Sequence, residues 1–472
     1  MTASDPPPAL FPEAAVVPTI DRARLAELTA REQERFVETH PRSRAAYEEA
    51  THLFGKVPMT WMMKHAMRFP IYLAGARGAT ITDLDGHTYA DFALGDTAAM
   101  AGHSPAATVA AVLARFADLG GATAMLPTED SQWVAAELTR RFRAERWSFA
   151  LTATDANRWA IRLARAVTGR PKILFNSYCY HGTVDESLIV ATPDGPADRP
   201  GNVGAPVDVT QTSRVAEFND LDALAKELAN GDVALVVMEP ALTNIGIVLP
   251  EPGYLEGVRE LTRQHEVLLL IDETHTISAG PAGAIGFYDL DPDIVVIGKS
   301  IGGGIPAAAY GVRAEFAGAI LSRTDLDIID MGGVGGTMAG NALSAAAARA
   351  TLERVLTDEA FAHMIGLADV FAAGVREIFA RHDLPWSVSQ LGARTEYRFS
   401  TTPPRNGTEA AAAHDQELDD YFHLYLANRG ILLTPFHNMA LMCPQTTRAQ
   451  VEEHLTHFDA AVAELLGSRP WP

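Results

Sequence analysis

Two segments hold residues whose types can do chemistry together. Ile271-Asp272-Glu273 closes an apolar run with two carboxylates, and Gly298-Lys299-Ser300-Ile301-Gly302-Gly303-Gly304 follows a second apolar run with a lysine among glycines. In open α/β sheets ligands sit beyond the carboxyl ends of strands, so a carboxylate there can meet a ligand cation. A lysine desolvated at such a place is a competent amine nucleophile, and glycines let backbone approach a flat ligand closely. The residues alone also allow a buried Asp–Lys ion pair around a structural turn. Leu151-Thr152-Ala153-Thr154-Asp155-Ala156-Asn157 opens a helix, and its N–H groups and hydroxyls read either as an anion site or as a plain cap. Tyr180-His181-Gly182 follows one apolar run and Glu239-Pro240 ends another; packing and a turn carboxylate are the simpler readings of each. A substrate carboxylate asks for a planar cation. Arg394 and Arg398 are the candidates, and strand alternation puts both on one face with Glu396 between them. Asp96 would meet a substrate cation or cap a turn, and Trp61 would line an entrance or lie in the core.

The elements that position these groups are written as alternating helices and strands. Ile173–Phe175, Val233–Met238, Val267–Ile271 and Ile294–Ile297 are strand-length and apolar on both faces, as central strands of a covered parallel sheet are. Helical spacing predicts helices over Ser131–Arg143, Asn157–Val167, Gly253–Gln264 and Asn341–Leu356. The βαβ rhythm points to a mostly parallel, doubly wound α/β sheet in a large domain. Asp21–Glu49 is helix-favouring, Ile71–Phe92 reads as short strands turning at Asp85-Gly86, and strands near Thr395–Phe399 and Ile431–Thr434 precede a last helix over Arg448–Leu466. These place a smaller α+β domain after residue 340.

Composition narrows the function. The chain has 472 residues, 47 % hydrophobic and 21 % charged, which suits more than one hydrophobic core. A formal net charge of −21 repels phosphate backbones, so nucleic acid is not an expected partner. Two cysteines, Cys179 and Cys443, make neither a disulfide framework nor a zinc motif, which predicts a reducing, cytoplasmic setting and no metal. Met1–Ile20 is proline-rich without a basic start or long apolar run, so it reads as a loose arm, and no segment predicts a membrane span.

The stretch Ile271-Asp272-Glu273-Thr274-His275-Thr276, with Pro292-Asp293 through Gly298-Lys299-Ser300 to Ile305-Pro306, resembles the signature of class III aminotransferases. The likeness runs from about Phe69 to Glu464 and is nearest the glutamate-1-semialdehyde 2,1-aminomutase branch. It implies the type I fold of pyridoxal 5'-phosphate (PLP) enzymes, with PLP as cofactor. Residues 1–75 would be an arm and a segment joining the small domain, 76–340 the PLP-binding domain, and 341–472 the small domain. Lys299 would condense with the cofactor aldehyde and shuttle a proton, and Asp272 would pair with the ring nitrogen. Thr152, Ala153 and Thr154 stand where the family has its Ser-Gly-Thr phosphate loop. Tyr180 would lie against the ring and Thr274 on its other face. His275 replaces a residue near the phenolic oxygen, and His181 and Glu239 border the cofactor. Thr337, in Gly335-Gly336-Thr337-Met338-Ala339-Gly340-Asn341, would reach the phosphate of a neighbouring subunit and make the protein a homodimer. The resemblance implies a transaminase, passing an amino group from an amine or amino acid to a keto or aldehyde acceptor by a ping-pong route through pyridoxamine phosphate. The alternative is an aminomutase of the glutamate-1-semialdehyde type.

Overall fold

Val233–Met238 and Ile294–Ile297 carry side chains that can hide both faces of a strand, and every residue of the two is buried. In the computed structural model of the protein, which describes residues 20–205 and 207–467, they stand inside a seven-stranded sheet. Its order is Arg146–Ala150, Ala308–Val312, Ile294–Ile297, Leu268–Asp272, Val233–Met238, Lys172–Asn176, Ser213–Ala216. The five strands from Ile294–Ile297 to Ser213–Ala216 pair in parallel. Parallel neighbours need crossovers, and helices such as Leu221–Leu228 and Tyr254–Gln264 supply them. The arrangement is mixed α/β with its sheet mostly parallel, as the resemblance led one to expect. Ala308–Val312 is antiparallel to both its neighbours, which strand-by-strand reading did not foresee. The reason is the short link from Ile297: a chain that turns through Lys299–Gly302 without a crossover helix can only return antiparallel.

Among the described residues a four-stranded sheet joins Leu73–Arg77, Thr80–Asp83 and Thr88–Asp91 to Ile431–Leu432, so the early hairpin pairs with a late strand. A three-stranded antiparallel sheet sets Arg394–Arg398 between Ser387–Leu391 and Met439–Leu441. Helices Asp358–Arg381 and Arg448–Leu465 pack beside it. The helical stretch expected over Asp21–Glu49 divides into Arg22–Thr39 and Pro41–Glu49, because proline suits a first turn and not an interior. The loose arm expected over Met1–Ile20 lies outside the described residues except for Ile20. No helix among the described residues is long and apolar enough to cross a membrane.

Candidate active site

The parallel strand Leu268–Asp272 ends by delivering its two carboxylates to different tasks. Glu273 is fully buried and accepts from the Thr276 hydroxyl at 2.6 Å and from the backbone N–H groups of Ala284 and Ile285 at 3.1 and 2.5 Å. It ties down the following turns and belongs to the scaffold. Asp272 is 3 % exposed and faces three donors. Its Oδ2 accepts from Asn157 Nδ2 and His181 Nδ1, both at 2.9 Å, and its Oδ1 from Thr274 N–H at 3.0 Å. Burial works against ionisation, but His181, Thr274 and Asn157 outweigh it and hold the carboxyl at about 2. Asp272 therefore stays an anion at neutral pH. His181, expected beside the cofactor, is fully buried and touches Asp272, so the position it sets is that of the carboxylate. Glu239, at the end of the adjacent strand, is buried with its Oε2 unpartnered, and burial pushes it up to about 7.

Lys299 sits just past Ile294–Ile297 with a left-handed φ of 52°. Its Nζ donates to the Asp96 carbonyl and Oδ2 at 2.9 and 3.0 Å and lies 2.8 Å from His275 Nε2. Asp96 and Thr97 also have positive φ, 50° and 82°, and for a β-branched threonine this is genuine strain. Three uncommon backbones thus converge on one amine. Burial pushes His275 down to about 3, with Lys299 and Arg394 adding to the fall, so the imidazole is neutral. With Nε2 accepting from Lys299, its proton falls on Nδ1, 3.3 Å from Thr97 Oγ1. Behind His275 lies Arg394, fully buried, whose guanidinium reaches Thr97, Ser278 and Met439. Arg394, expected at the substrate, does not line the cavity described below. It braces His275 from inside.

The helix Ala153–Thr168 begins beside this pair. Thr152 caps it, accepting from Asp155 N–H at 3.1 Å and donating to Asp155 Oδ2 at 2.8 Å, which is the cap reading of this segment. Thr154 Oγ1 accepts from Thr183 N–H at 3.2 Å, and Gly182, φ 81°, lies so close that a Cβ there would come within 2.9 Å of Thr154 Cα. At Gly298 a Cβ would come within 3.1 Å of the Ala153 methyl. Thr274 Oγ1 and Ser300 Oγ are buried without protein partners. Buried hydroxyls without protein partners, a helix N-terminus, a buried anion and an amine fit a flat phosphorylated aldehyde with a basic ring nitrogen, which is PLP.

A cavity of about 490 Å³ opens from Asp96 and is lined by Tyr180, Trp61, Phe436 and Arg398 among others. Tyr180 and Trp61 meet at 5.4 Å between ring centroids, and Trp61 meets Phe436 edge-on at 5.7 Å. Arg398 lines the wall but donates to the Ile245 and Ala410 carbonyls and lies 3.8 Å from Glu396. Thr337 is exposed on a glycine-rich turn. Sequence reasoning passed over Asn157 as a partner of Asp272 although its segment was in view, and it passed over Lys64 and Arg199, which carry no motif.

Comparison with known proteins follows this geometry. The chain is 34 % identical over 410 residues to glutamate-1-semialdehyde 2,1-aminomutase 2 of Geobacillus kaustophilus, covering 84 % of this chain and 92 % of the relative. It superposes on the crystal structure of a glutamate-1-semialdehyde-aminomutase from Pseudomonas aeruginosa PAO1 with a TM-score of 0.92 and 48 % identity, covering 95 % of this chain and all of that one. A variant of that enzyme was solved in complex with PMP, with the same TM-score of 0.92. These relatives overturn the expectation of a ping-pong transaminase, because they are aminomutases, and they agree with the alternative weighed beside it. The residues around Lys299 could not separate the two, since both reactions use the same amine and the same ring-nitrogen partner. The sequence model of class-III aminotransferases matches residues 62–462, and with the PLP-shaped site just described the chain belongs to that family and uses pyridoxal phosphate.

Proposed function

We propose that the protein is an aminomutase of the glutamate-1-semialdehyde type, which moves an amino group to a neighbouring carbon of the same molecule. The observation that carries the reading is the likeness to aminomutases along most of the chain, and Lys299, held between Asp96 and His275, is the amine such a reaction needs. Bound PLP supplies an aldehyde that takes up amines and a ring that draws electrons from the neighbouring carbon. The chain's own residues do the rest. Lys299 Nζ would move a proton between a substrate carbon and the cofactor carbon that carries the amine, at each of the two neighbouring substrate carbons in turn, with neutral His275 accepting its hydrogen bond. Asp272, held ionised by His181, Asn157 and Thr274, keeps the ring nitrogen protonated. Thr152, Ala153 and Thr154 at the helix N-terminus bind the phosphate. Tyr180 and Thr274 flank the ring, and Trp61 shields the cavity from water. In this reading Thr337 completes the site of a second copy in a homodimer. The buried free thiols Cys179 and Cys443 support a cytoplasmic setting.

The test is purified holoenzyme with glutamate-1-semialdehyde and neither amine donor nor keto acceptor. Stoichiometric isomerisation is the expected result. Product formation that requires an added acceptor would sink the reading.

A further inference from the structure

The cavity that Asp96 connects to Lys299 holds two cations that pair with no acid among the described residues. Arg199 and Lys64 both line it, and neither forms an ion pair among the described residues. The acids of the same wall are engaged or neutral. Asp96 serves Lys299, Glu396 accepts from Ile247 N–H beside Arg398, and Asp415 pairs with Arg22 at 2.5 Å. Burial pushes Asp419 up to about 8, so it is protonated, and Asp185 is exposed on the turn Asp185–Ser187. Arg398, the expected carboxylate clamp, spends its donors on backbone carbonyls.

Arg199 is pre-aimed. Its Nη1 donates to the Cys179 carbonyl at 2.8 Å, and its guanidinium lies 5.7 Å from the centre of the Tyr178 ring, which leaves the rest of the fork for a ligand. Lys64 rests its ammonium on the face of Phe436, 4.6 Å from the ring centre. Burial pushes both groups below their ordinary values, and the charge of Arg199 adds to the fall at Lys64. Two like charges sharing one wall repel, and an anion between them removes that cost. Tyr180, Trp61 and Phe436 line the same cavity and suit a short aliphatic chain.

We propose that Arg199 and Lys64 bind a carboxylate of the substrate, at the opposite end of a short chain from the carbon that Lys299 serves. This rests on the aminomutase reading and deepens it by assigning Arg199, with Lys64, as the residue that selects a substrate for its carboxylate end.

Glutarate tests this without any reaction, because it carries carboxylates but no amine. Calorimetric titration of holoenzyme should show binding in the wild type, weakened roughly tenfold to a hundredfold in Arg199→Met and in Lys64→Met, as loss of a hydrogen bond to a charged group predicts. Arg199→Lys should keep part of the affinity, and PLP affinity should stay level in all. No glutarate binding in the wild type, or equal binding in wild type and both variants, overturns the proposal. So does a parallel loss of PLP affinity in Arg199→Met, which would assign the guanidinium to the cofactor phosphate. Lys64 keeps part of its surface in solvent although its ammonium lies against Phe436, so its variant reports even where Arg199→Met fails to fold. Glutarate binding that depends on Arg199 in an enzyme that does not isomerise would retire the aminomutase reading and keep the anion site.

Discussion

Glu239 offers a perturbation whose magnitude the structure supplies. The side chain is 2 % exposed; Oε1 takes the Thr243 hydroxyl, and Oε2 has no partner. Burial, aided by the charge of Asp272, pushes its carboxyl up from 4.5 to about 7 against the opposing pull of His181 and Thr243. For a fully buried group that rise is worth roughly 3 kcal/mol. The sign follows from the direction. A raised acid favours the folded state fully below its unfolded value and loses that contribution as pH climbs through the folded value. Glu239→Gln keeps the size and the Thr243 contact and removes the titration. Its stability relative to wild type should therefore rise by roughly 3 kcal/mol between about pH 5 and about pH 8. Urea unfolding of the apoprotein at several pH values measures the difference. Glu273 and Asp419, raised to about 7 and about 8, titrate in both proteins and cancel, as does any constant cost of the buried amide. A stability difference that is flat across that range would refute the argument and show Glu239 to be ionised or hydrated in the native state. The expected outcome leaves Glu239 protonated below about pH 6, beside an ionised Asp272.

Borohydride treatment of holoenzyme should fix the cofactor to the peptide bearing Lys299 and to no peptide in Lys299→Ala; mass mapping that finds it elsewhere would refute the assignment. Gly182→Ala places a Cβ at positive φ against Thr154, so urea unfolding should show a loss of roughly 2–4 kcal/mol, with weaker PLP binding from the displaced helix start. Sedimentation equilibrium should give the mass of a dimer, and Thr337→Ala should weaken PLP binding without dissociating it. A monomer with full PLP affinity would remove Thr337 from the site.

Asp272 and Lys299 were legible because strand ends announce themselves: an apolar run that stops at a polar residue marks the sheet edge where ligands bind. The start of the helix Ala153–Thr168 was legible for a similar reason, since Thr152 is of a type that caps helices. Arg394 was not, because alternation puts Arg394 and Arg398 on one face without saying that the first is sealed behind His275 and the second tied to carbonyls. Arg199 left no trace, since its meaning lies in the absence of a nearby acid in space. The choice between transaminase and aminomutase was also closed to motif reading, as both reactions need the same amine, and it was the likeness to aminomutases that favoured the second.

Side-chain periodicity is a local property, so the sequence by itself determined the buried parallel strands, the helices that connect them and the carboxylate and lysine at their ends. Contacts between distant segments are another matter. Lys299 meets Asp96 across 203 residues, and Arg394 meets Thr97 across 297. Such meetings depend on how whole sheets pack and on which charges lose their water together. Only the tertiary structure decided that His275 is neutral against Lys299, that Arg394 is a brace, and that Arg199 and Lys64 line one cavity.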